Sequence, residues 1–546
     1  MQNGKTYLIG WLLLLACAVA CAQAPLNPSQ KARIEALVSR DVPDRAPGVA
    51  FGIVQNGQII YTQYAGYADL EQGIKIGADT RFNIASNAKQ YTALAVLALV
   101  QAGKLGLEDD IRLFFPDLLP EVKERIQIRH LLTHASGIRD VYDLLSLQGI
   151  TWWEVTYTNQ TLIDLLHRQR ALNFKPGTSY LYSNSNYILL AEIIAKVSGL
   201  PFADYLNRMF EQLGMPDTRF ETDHTRIQGP VARPYFNFDT WTTYEWIWNA
   251  AGDGNLFTTL ADQLRFEQIV QTFSAKTLSR RVIRLSQRRI IDTVAYGYGI
   301  EFSAYRNRPM VFHHGSTGAW KATFMRLPEQ RLSLITLSNS GKTDVIDQNQ
   351  QIADVLLDIS PDEPLPYPIV PEAGDSFVSE AQIAGTYLDE SGTMFQLASR
   401  AGRLYLIGSG RNDVELERES GHVFRQVYDP AFKQAFARNA QGAWTVTAYY
   451  PTHPPYTLTQ IEADFSNFDP DALTGTYTNE ETGATITLVA LGGVQYLITV
   501  GGYETTGTAL TPTTLRADAY KLVFNSPEGF CLNGGRIRQV RFVRTE

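Results

Sequence analysis

Cysteine is scarce in this sequence: 546 residues include three, and two of them, Cys17 and Cys21, stand near the N-terminus. Removal of that segment would leave Cys531 alone, and a lone cysteine forms no internal disulfide. A disulfide-based scaffold is therefore excluded. The length instead suggests roughly three or four domains, with ample material for packed hydrophobic cores.

Positive charge is also in short supply. Lys and Arg number 48 against 56 Asp and Glu, so the formal net charge is -8. The densest basic cluster lies between Arg280 and Arg289, and its spacing indicates one solvated helix face. We therefore expect no nucleic-acid partner and no anionic-membrane partner.

The N-terminal apolar run, Tyr7 to Ala20, is too short to be a membrane span. With Lys5 before it and the small-residue site around Cys21 after it, the run is typical of an export signal over residues 1–22. The sequence leading to Cys17 also resembles a lipoprotein site, so a lipid anchor stays open. We expect a periplasmic or secreted protein without a transmembrane domain, or an outer-membrane lipoprotein.

One Ser-x-x-Lys match occurs in the sequence, Ser86-x-x-Lys89, at the start of an apolar run that ends near Gly103. Apolar residues spaced by three and four predict a helix here, with both motif residues on one face of its first turn. A buried ammonium can lose its proton near neutral pH and then accept one from a serine hydroxyl. Ser86 is thus the candidate nucleophile and Lys89 its activator. The alternative is an ordinary helix serine beside a solvated lysine.

Two histidines, His130 and His134, stand four residues apart. This spacing can hold zinc on a helix, but the adjacent glutamate of a metalloprotease motif is missing and no carboxylate stands out as a third ligand. We therefore expect a buried structural turn that runs through Ser136 and Gly137, and no metal or other cofactor.

A second polar motif, Tyr182-x-Asn184, follows a Lys-Pro-Gly turn and precedes a helix-like segment. Both side chains can point into one cleft. Tyr182 can serve as a general base if a neighbouring ammonium lowers its pKa, and Asn184 can hold the substrate or orient Lys89. The alternative is a polar turn ahead of a helix.

A third motif, His313-x-Gly315, ends a short apolar run and leads into two strand-like segments. An imidazole at a strand edge can face a cleft, and a glycine lets the backbone approach a ligand closely. A histidine satisfied within the core is the alternative. The aromatic run from Tyr235 to Trp248 is more typical of a core or an interface than of a pocket.

The order of these three motifs resembles that of the penicillin-recognising serine hydrolases, in particular class C β-lactamases, D-aminopeptidases, penicillin-binding carboxypeptidases and family VIII esterases. The resemblance covers about residues 28 to 355, and the stretches Leu131–Gly137 and Ala251–Leu256 contribute to it. It implies an α+β, β-lactamase/transpeptidase-like fold for residues 26–357. That fold is an antiparallel sheet flanked by helices, with a helical subdomain.

The resemblance also implies the catalytic roles. Ser86 would be acylated, Lys89 and Tyr182 would share the proton transfers, and Asn184 would contact both the substrate and the lysine. The backbone N–H groups of Ser86 and Ser316 would form the oxyanion hole, where hydrogen-bond donors meet the charge that develops on the carbonyl oxygen.

By the same resemblance, His313 and Gly315 would border the bound substrate. His313 stands where class C β-lactamases usually carry the lysine of a Lys-Thr-Gly motif. Because imidazole is mostly neutral at pH 7, it suits a substrate carboxylate less well than an ammonium does. We therefore expect weak β-lactamase activity at most.

Beyond a proline-rich linker at residues 358–376, the sequence repeats itself. The stretch Ile383–Tyr387 recurs as Leu473–Tyr477, a spacing of 90 positions. Short strand-like segments and Gly-rich turns predict two small antiparallel β-barrels, over residues 377–468 and 469–546. They resemble the lipocalin-like barrels of D-aminopeptidases. This likeness implies either a barrel loop that covers the Ser86 cleft or barrels that only stabilise the protein or bind ligands.

Taken together, the motifs predict an exported serine hydrolase that cleaves an amide or ester of a small-molecule or peptide substrate through a Ser86 acyl-enzyme. The alternative is a catalytically quiet surface binding or sensor protein that keeps the fold. Retention of the full Ser, Lys, Tyr, Asn and His set speaks against that alternative. The choice among D-amino-acid peptides, esters and β-lactams stays open, as does the oligomeric state.

Overall fold

The computed structural model of the chain describes residues 26–150, 153–227, 229–291, 294–360, 370, 377–390, 392–408, 412–428, 430–450 and 453–545. The predicted export signal, with Cys17 and Cys21, lies outside these described residues. Most of the predicted linker over residues 358–376 also lies outside them.

The α-helices of the described residues are short to medium in length, and most of them belong to the first 357 residues. They are α1 (Pro28–Ser39), α2 (Lys89–Gln101), α3 (Ile128–Leu132), α4 (Val141–Ser146), α5 (Asn159–His167), α6 (Asn184–Ser198), α7 (Phe202–Leu213), α8 (Leu260–Thr272), α9 (Arg280–Ser286), α10 (Val345–Leu356) and α11 (Glu380–Ile383).

The strands that precede α10 build one large sheet and several small ones. They are β1 (Val49–Gln55), β2 (Gln58–Ala65), β3 (Tyr67–Asp69), β4 (Ile74–Lys75), β5 (Phe82–Asn83), β6 (Arg219–Phe220), β7 (Phe236–Phe238), β8 (Thr240–Thr242), β9 (Leu256–Thr258), β10 (Glu301–Tyr305), β11 (Arg308–Thr317), β12 (Trp320–Leu327) and β13 (Leu332–Ser338).

The large sheet is antiparallel, with the strand order β10-β11-β12-β13-β1-β2. Its first hairpin, β1–β2, turns at Asn56 and Gly57, whose φ angles of 53° and 78° are those that an Asn-Gly turn favours. Helices α1 and α10 cover one face of the sheet and α8 the other. Because both faces are covered, every residue of β13 is buried. The predicted α+β sheet flanked by helices is thus confirmed.

Helix α2 passes through the middle of this region. All residues from Lys89 to Leu97 are buried, because α6, α7 and α9 pack around the helix. The sequence pattern indicated a single buried face, which proves too narrow. Ser86 lies in a separate 3-10 turn, Ala85–Ala88, that leads into α2.

The C-terminal region contains two closed antiparallel barrels of eight strands each, as the internal repeat predicts. The first has β14 (Gly385–Leu388), β15 (Met394–Arg400), β16 (Arg403–Leu406), β17 (Val414–Arg418), β18 (Val423–Gln426), β19 (Lys433–Arg438), β20 (Trp444–Tyr450) and β21 (His453–Ile461). The second has β22 (Gly475–Thr478), β23 (Thr485–Gly492), β24 (Gln495–Val500), β25 (Tyr503–Thr511), β26 (Thr514–Ala517), β27 (Tyr520–Ser526), β28 (Gly529–Gly534) and β29 (Ile537–Arg544).

The two barrels begin in the same way. Tyr387 donates its hydroxyl hydrogen to the carbonyl oxygen of Ile383 at 2.9 Å. The equivalent Tyr477 does the same to Leu473 at 3.1 Å. The sequence repeat therefore corresponds to a repeated structural unit.

The barrels differ in how they join the rest of the molecule. The buried apolar residues of the second barrel belong to one continuous cluster with those around α2 and α6. The first barrel has a separate core of its own.

Within the described residues, no single helix is long and apolar enough to span a membrane. Helices α6 and α7 meet such a test only as a pair, and they meet at an 82° bend.

Candidate active site

The turn that carries Ser86 is held by its own neighbours. The side-chain oxygen of Asn83 accepts a hydrogen bond from the backbone N–H of Ala85 at 2.9 Å, and Asn87 N donates to Ile84 O at 3.1 Å. Ala85 has a φ of 47°, in the left-handed region that non-glycine residues rarely adopt. This arrangement leaves Ser86 partly exposed at a cavity.

Lys89 lies directly beneath the serine and is fully buried. Its Nζ lies 3.1 Å from Ser86 Oγ, 2.9 Å from Asn184 Oδ1 and 2.7 Å from the carbonyl oxygen of Asp253. A neutral amine has two N–H donors and one lone pair. Because Asn184 Oδ1 and Asp253 O can only accept, they take both N–H groups of a neutral Lys89 and leave the lone pair to face Ser86.

Burial lowers the pKa of Lys89 to about 8, because it removes water from the ammonium. The carboxylates of Asp253 and Asp140 oppose this shift, and the guanidinium of Arg536 adds to it. With this pKa, about a tenth of Lys89 is neutral at pH 7, and the neutral amine is the form that can accept a proton from Ser86.

Asn184 is the first residue of α6, and Asp140 fixes the orientation of its amide. Asp140 Oδ2 accepts hydrogen bonds from the Asn184 backbone N–H at 2.6 Å and from Nδ2 at 2.9 Å. With Nδ2 committed to Asp140, Oδ1 points at Lys89 Nζ. The expected contact between Asn184 and the lysine is present.

Tyr182 flanks the same cavity, and its ring packs against His134 with centroids 4.2 Å apart. Its Oη is buried and makes no hydrogen bond to the described residues. Burial raises the pKa of the phenol well above its usual range, and the nearby Ser86 hydroxyl offsets this only in part. Although Lys89 Nζ lies 4.9 Å from the ring centroid, the lowered pKa that a neighbouring ammonium would give is not found.

His313 is buried in the wall behind Tyr182 and does not line the cavity. Its Nδ1 lies 2.8 Å from the carbonyl oxygen of His314, which can only accept, so Nδ1 carries the hydrogen. Nε2 then accepts from the hydroxyl of Tyr296 at 3.0 Å. Burial lowers the pKa of His313 to about 3, so the ring is neutral. The structure therefore brings His313 near the site as support for Tyr296, and not into contact with the cavity.

Gly315 and Ser316 lie at the end of β11, where that strand meets the Ser86 turn. A Cβ atom on Gly315 would stand 2.2 Å from the carbonyl oxygen of Ile84, so only glycine allows this approach. Ser316 lines the cavity together with Ser86. The two residues that the resemblance assigns to the oxyanion hole therefore border one space.

The cavity beside Ser86 has a volume of about 470 Å³. Six aromatic side chains line it: Tyr142, Trp153, Tyr157, Tyr182, Trp246 and Trp248. The expectation that the aromatic run up to Trp248 forms core or interface is thus only partly correct. Tyr235 is buried in the core, whereas the end of the run forms the cavity wall.

The histidine pair has structural hydrogen bonds. His130 Nδ1 accepts from the backbone N–H of Gln127 at 3.2 Å, and His134 Nδ1 accepts from that of Ser183 at 3.1 Å. In the part of the chain that the structure describes, no group of three or more His, Cys, Asp or Glu could hold a metal ion.

A loop of the second barrel reaches the cavity. This agrees with the alternative in which a barrel loop covers the Ser86 cleft. The turn between β28 and β29 brings Arg536 into the cavity lining, where its Nη2 lies 3.1 Å from Asp140 Oδ1 and 2.5 Å from Asp143 Oδ1. Gly535 has a φ of 49°, and its Cβ position would lie 2.6 Å from Asp143 Oδ2. Glycine therefore lets the turn sit directly on the catalytic region.

Sequence reasoning missed several residues that build this site: Asp140, Tyr142, Asp253, Tyr296 and Arg536. Asp140 and Asp253 were visible as acids beside the Ser-Gly and Ala-Gly stretches that contributed to the resemblance. No pattern indicated Arg536, because its neighbours in space are almost four hundred positions away in sequence.

The Beta-lactamase family model matches residues 34–357, which is more than half of the chain. The chain belongs to the Beta-lactamase family. As a member of this family it is a serine hydrolase, in agreement with the sequence-based expectation. The β-lactamase/transpeptidase-like fold is likewise confirmed.

Two curated relatives in the Beta-lactamase family show the extent of the similarity. Penicillin-binding protein 4* of Bacillus subtilis is 27% identical over 396 residues, which cover 66% of this chain and 84% of that protein. D-aminopeptidase of Brucella anthropi is 27% identical over 327 residues, which cover 58% of this chain and 61% of that protein. The match thus spans less than two thirds of the D-aminopeptidase.

Among solved structures, the octameric penicillin-binding protein homologue from Pyrococcus abyssi aligns with a TM-score of 0.57 at 22% identity. The alignment covers 79% of this chain and 100% of that one. At this level of identity the likeness concerns the fold alone.

Proposed function

We propose that this serine hydrolase cleaves an amide or ester bond of a small or peptide-like substrate through an acyl-enzyme on Ser86. The observation that carries the proposal is the 3.1 Å separation between Ser86 Oγ and a fully buried Lys89 Nζ whose pKa is lowered to about 8. A hydroxyl so placed can pass its proton to the amine as Oγ attacks a carbonyl carbon.

The first half-reaction then proceeds as follows. Ser86 Oγ forms a bond to the carbonyl carbon, and its proton moves to Lys89 Nζ. The carbonyl oxygen gains negative charge, which the backbone N–H groups of Ser86 and Ser316 would stabilise. The bond to the leaving group breaks, and the leaving amine or alkoxide takes up a proton. Water next attacks the ester on Ser86 and restores the free serine.

We assign the protonation of the leaving group to Tyr182. Its phenol stays protonated at neutral pH because burial raises its pKa, and the Ser86 hydroxyl beside it offsets only part of that rise. The phenol can therefore donate to a leaving nitrogen and regain a proton from the Lys89 ammonium. In this scheme Lys89 is the base and Tyr182 the acid.

The cavity favours substrates with an apolar or aromatic group. Six aromatic side chains line it, and the pair Tyr142 and Trp248 packs edge to face with centroids 5.3 Å apart. Neutral His313 offers no positive charge to a substrate carboxylate. Both features favour a D-aminopeptidase or esterase activity over efficient hydrolysis of substrates that carry a carboxylate, such as β-lactams and the C-terminal peptides that a carboxypeptidase cleaves.

We further propose that the protein is exported, on the strength of the N-terminal signal pattern, and that its barrels are lipocalin-like. Export predicts a mature N-terminus near residue 23. N-terminal sequencing of the protein from a periplasmic or culture fraction tests this. An intact Met1 would contradict export, and a lipid-modified Cys17 would indicate lipoprotein processing.

The test of the acyl-enzyme is covalent labelling of Ser86. Incubation with a fluorophosphonate should add one probe to the wild-type protein by intact mass, and peptide mapping should place it on Ser86. Ser86→Ala should take up no probe. A label that persists in Ser86→Ala would refute the assignment. A wild-type protein that stays unlabelled would favour the binding or sensor alternative.

The substrate class can be narrowed with a parallel panel of p-nitrophenyl esters of increasing chain length, D-alanyl anilide and nitrocefin. Preference for the larger esters over p-nitrophenyl acetate would support the apolar cavity. A kcat/KM for nitrocefin that exceeds those of the esters and the anilide would contradict the proposed preference.

A further inference from the structure

The β28–β29 turn of the second barrel makes a close and multiply bonded contact with the start of α4. The Arg536 backbone N–H donates to Asp143 Oδ2 at 2.6 Å, and its carbonyl oxygen accepts from Asn173 Nδ2 at 3.0 Å. Asn173 Oδ1 in turn accepts from the Arg538 backbone N–H at 2.7 Å. Hydrogen bonds in both directions hold the turn at one position against the hydrolase region.

The guanidinium of Arg536 continues this contact into the catalytic centre. Nη2 contacts one carboxylate oxygen of Asp140 at 3.1 Å, while the other oxygen of Asp140 holds the amide of Asn184. Asn184 Oδ1 then contacts Lys89 Nζ at 2.9 Å. An unbroken chain of charged and polar contacts thus runs from the barrel to the general base.

We propose that Arg536 is a positioning residue of the hydrolase: through Asp140 it keeps Asn184 Oδ1 on Lys89 and so directs the lysine lone pair at Ser86. The second barrel is on this view a part of the active site. The inference rests on the proposed acyl-enzyme function and extends it to a residue outside the region that the family model matches.

The hydrogen bonds of Asp140 and Asn184 fix the orientation of both side chains. Asp140 caps α4 and also accepts from the backbone N–H groups of Tyr142 at 3.0 Å and Asp143 at 3.2 Å. With Arg536 and Asn184 added, every acceptor direction of the carboxylate is used. If the Asn184 amide turned over, its Nδ2 would face the N–H groups of Lys89, and its Oδ1 would face the carboxylate oxygen of Asp140. Neither pair could form a hydrogen bond. Arg536 opposes that change because it holds Asp140 from the opposite side.

Arg536 also acts on Lys89 by its charge. The groups whose charge or proton bears on Lys89 come from several elements. They are Asp253, Asp140, Arg536, Tyr182, Tyr187, His134 and His313. Burial keeps both histidines neutral and both tyrosines protonated, so the charged groups are the two aspartates and the arginine. Loss of the arginine leaves two negative charges unopposed, which raises the pKa of Lys89 as long as Asp140 stays ionised.

Burial raises the pKa of Asp140 and Arg536 opposes that shift, but the hydrogen bonds that also oppose it do not depend on Arg536. Three backbone N–H groups and the Asn184 amide donate to Asp140, and it lies at the N-terminus of α4, where the helix dipole favours an anion. Replacement of Arg536 by glutamine should therefore move the pKa of Lys89 upward.

The same interface offers a matched control. Arg139, the neighbour of Asp140, is buried and pairs with Glu481 of the second barrel at 2.7 Å. This pair also docks the barrel, but neither residue is among the groups that shift the pKa of Lys89. Glu481→Gln removes one docking charge and keeps an oxygen that can accept from Arg139. It should weaken docking without any effect on the lysine.

The experiment measures kcat/KM for p-nitrophenyl acetate from pH 5.5 to 10 in the full-length wild type, Arg536→Gln, Arg536→Lys and Glu481→Gln, each checked for folding by its melting curve. Activity should rise with pH in the wild type, with a midpoint near 8. In Arg536→Gln the midpoint should move up by about one unit, which lowers kcat/KM at pH 7 about tenfold. Arg536→Lys keeps the charge and should restore the midpoint, and Glu481→Gln should leave it unchanged.

The outcomes separate the two hypotheses. A midpoint that stays or falls in Arg536→Gln contradicts the role of Arg536, and so does an equal upward shift in Glu481→Gln, because docking alone would then explain it. The proposed function fails in a different measurement, namely a wild-type protein that takes up no label on Ser86.

Discussion

At the scale of single residues, one physical cause underlies the division of proton transfer that we propose between Lys89 and Tyr182. Removal of water disfavours the charged form of any group, so it lowers the pKa of an amine and raises that of a phenol. Both side chains are buried beside Ser86, and their pKa values move in these opposite directions. At neutral pH the site therefore contains an amine that can accept a proton and a phenol that can donate one.

Removal of the Lys89 amine tests the proposal that it accepts the proton of Ser86. Lys89→Ala should lower kcat/KM for a p-nitrophenyl ester at pH 7 by about a hundredfold or more, the range for loss of a general base. The control is Lys104→Ala, because Lys104 is exposed after the end of α2. Lys89→Ala kinetics within a few fold of the control would count against the assigned role.

Removal of the Tyr182 hydroxyl tests the proposal that this phenol donates a proton to the leaving group. An aniline leaves poorly unless it is protonated, whereas p-nitrophenolate leaves without a proton. Tyr182→Phe should therefore lower kcat/KM for D-alanyl anilide by about a hundredfold or more and that for p-nitrophenyl acetate far less. Tyr180→Phe is the matched control, since Tyr180 stands two residues away, is 42% exposed and does not line the cavity. Equal losses on both substrates would show that Tyr182 does not serve as the acid.

At the scale of elements, the site depends on how closely β11 approaches the Ser86 turn. Ser86 stands at the start of α2, whereas Ser316 belongs to the large sheet, so the proposed oxyanion hole requires the two elements to touch. Gly315 allows this contact, because its missing Cβ leaves room for Ile84 O. The position of β11 relative to Ser86 therefore depends on the glycine at position 315.

Gly315→Ala should push β11 away from the turn. The new Cβ would stand 2.2 Å from a backbone oxygen, so we expect stability to fall by about 1–3 kcal/mol and acylation to slow. Gly341→Ala is the control, because a Cβ there would meet its nearest atom at 3.4 Å. Urea unfolding and p-nitrophenyl acetate kinetics measure the two effects. Equal tolerance of both substitutions would show that the approach at Gly315 is not tight.

At the scale of the whole molecule, the two barrels resemble each other but relate differently to the hydrolase region. The second barrel shares a continuous apolar core with that region, and ion pairs of the buried Arg139 and the partly buried Arg536 cross between them. The first barrel packs its own core. The two copies of the barrel therefore differ in their packing, since only the second shares its core with the hydrolase region.

This difference predicts how the molecule unfolds. Calorimetry should show one transition for the hydrolase region together with the second barrel, and another for the first barrel, because elements that share a core unfold cooperatively. Glu481→Gln should lower the temperature of the shared transition, since Arg139 would lose its charged partner. The transition of the first barrel should not move. A second barrel that melts on its own would contradict the shared core.

Much of this organisation could be predicted from local sequence. Asn56-Gly57 defines its hairpin because both residues accept positive φ, and Ser86-x-x-Lys89 places its side chains together because a turn of helix does so wherever it occurs. The barrels were predictable because the repeat at 90 positions includes the tyrosine that starts each unit.

What could not be predicted depends on long-range packing. The neutrality of Lys89 and the raised pKa of Tyr182 come from burial, which no spacing encodes. The position of His313 behind the wall depends on Tyr296, and the contact of Arg536 with Asp140 joins residues 396 positions apart. Such contacts follow from the tertiary arrangement and leave no local pattern.

The pH dependence of Ser86 acylation tests the central claim most directly. Pre-steady-state release of p-nitrophenol from p-nitrophenyl acetate gives the acylation rate, free of the later hydrolysis step. Because only neutral Lys89 can accept the serine proton, the rate should rise with pH through a single midpoint near 8. A rate that is constant from pH 6 to 10, or one whose midpoint lies near 6 as for an unperturbed histidine, would contradict the account.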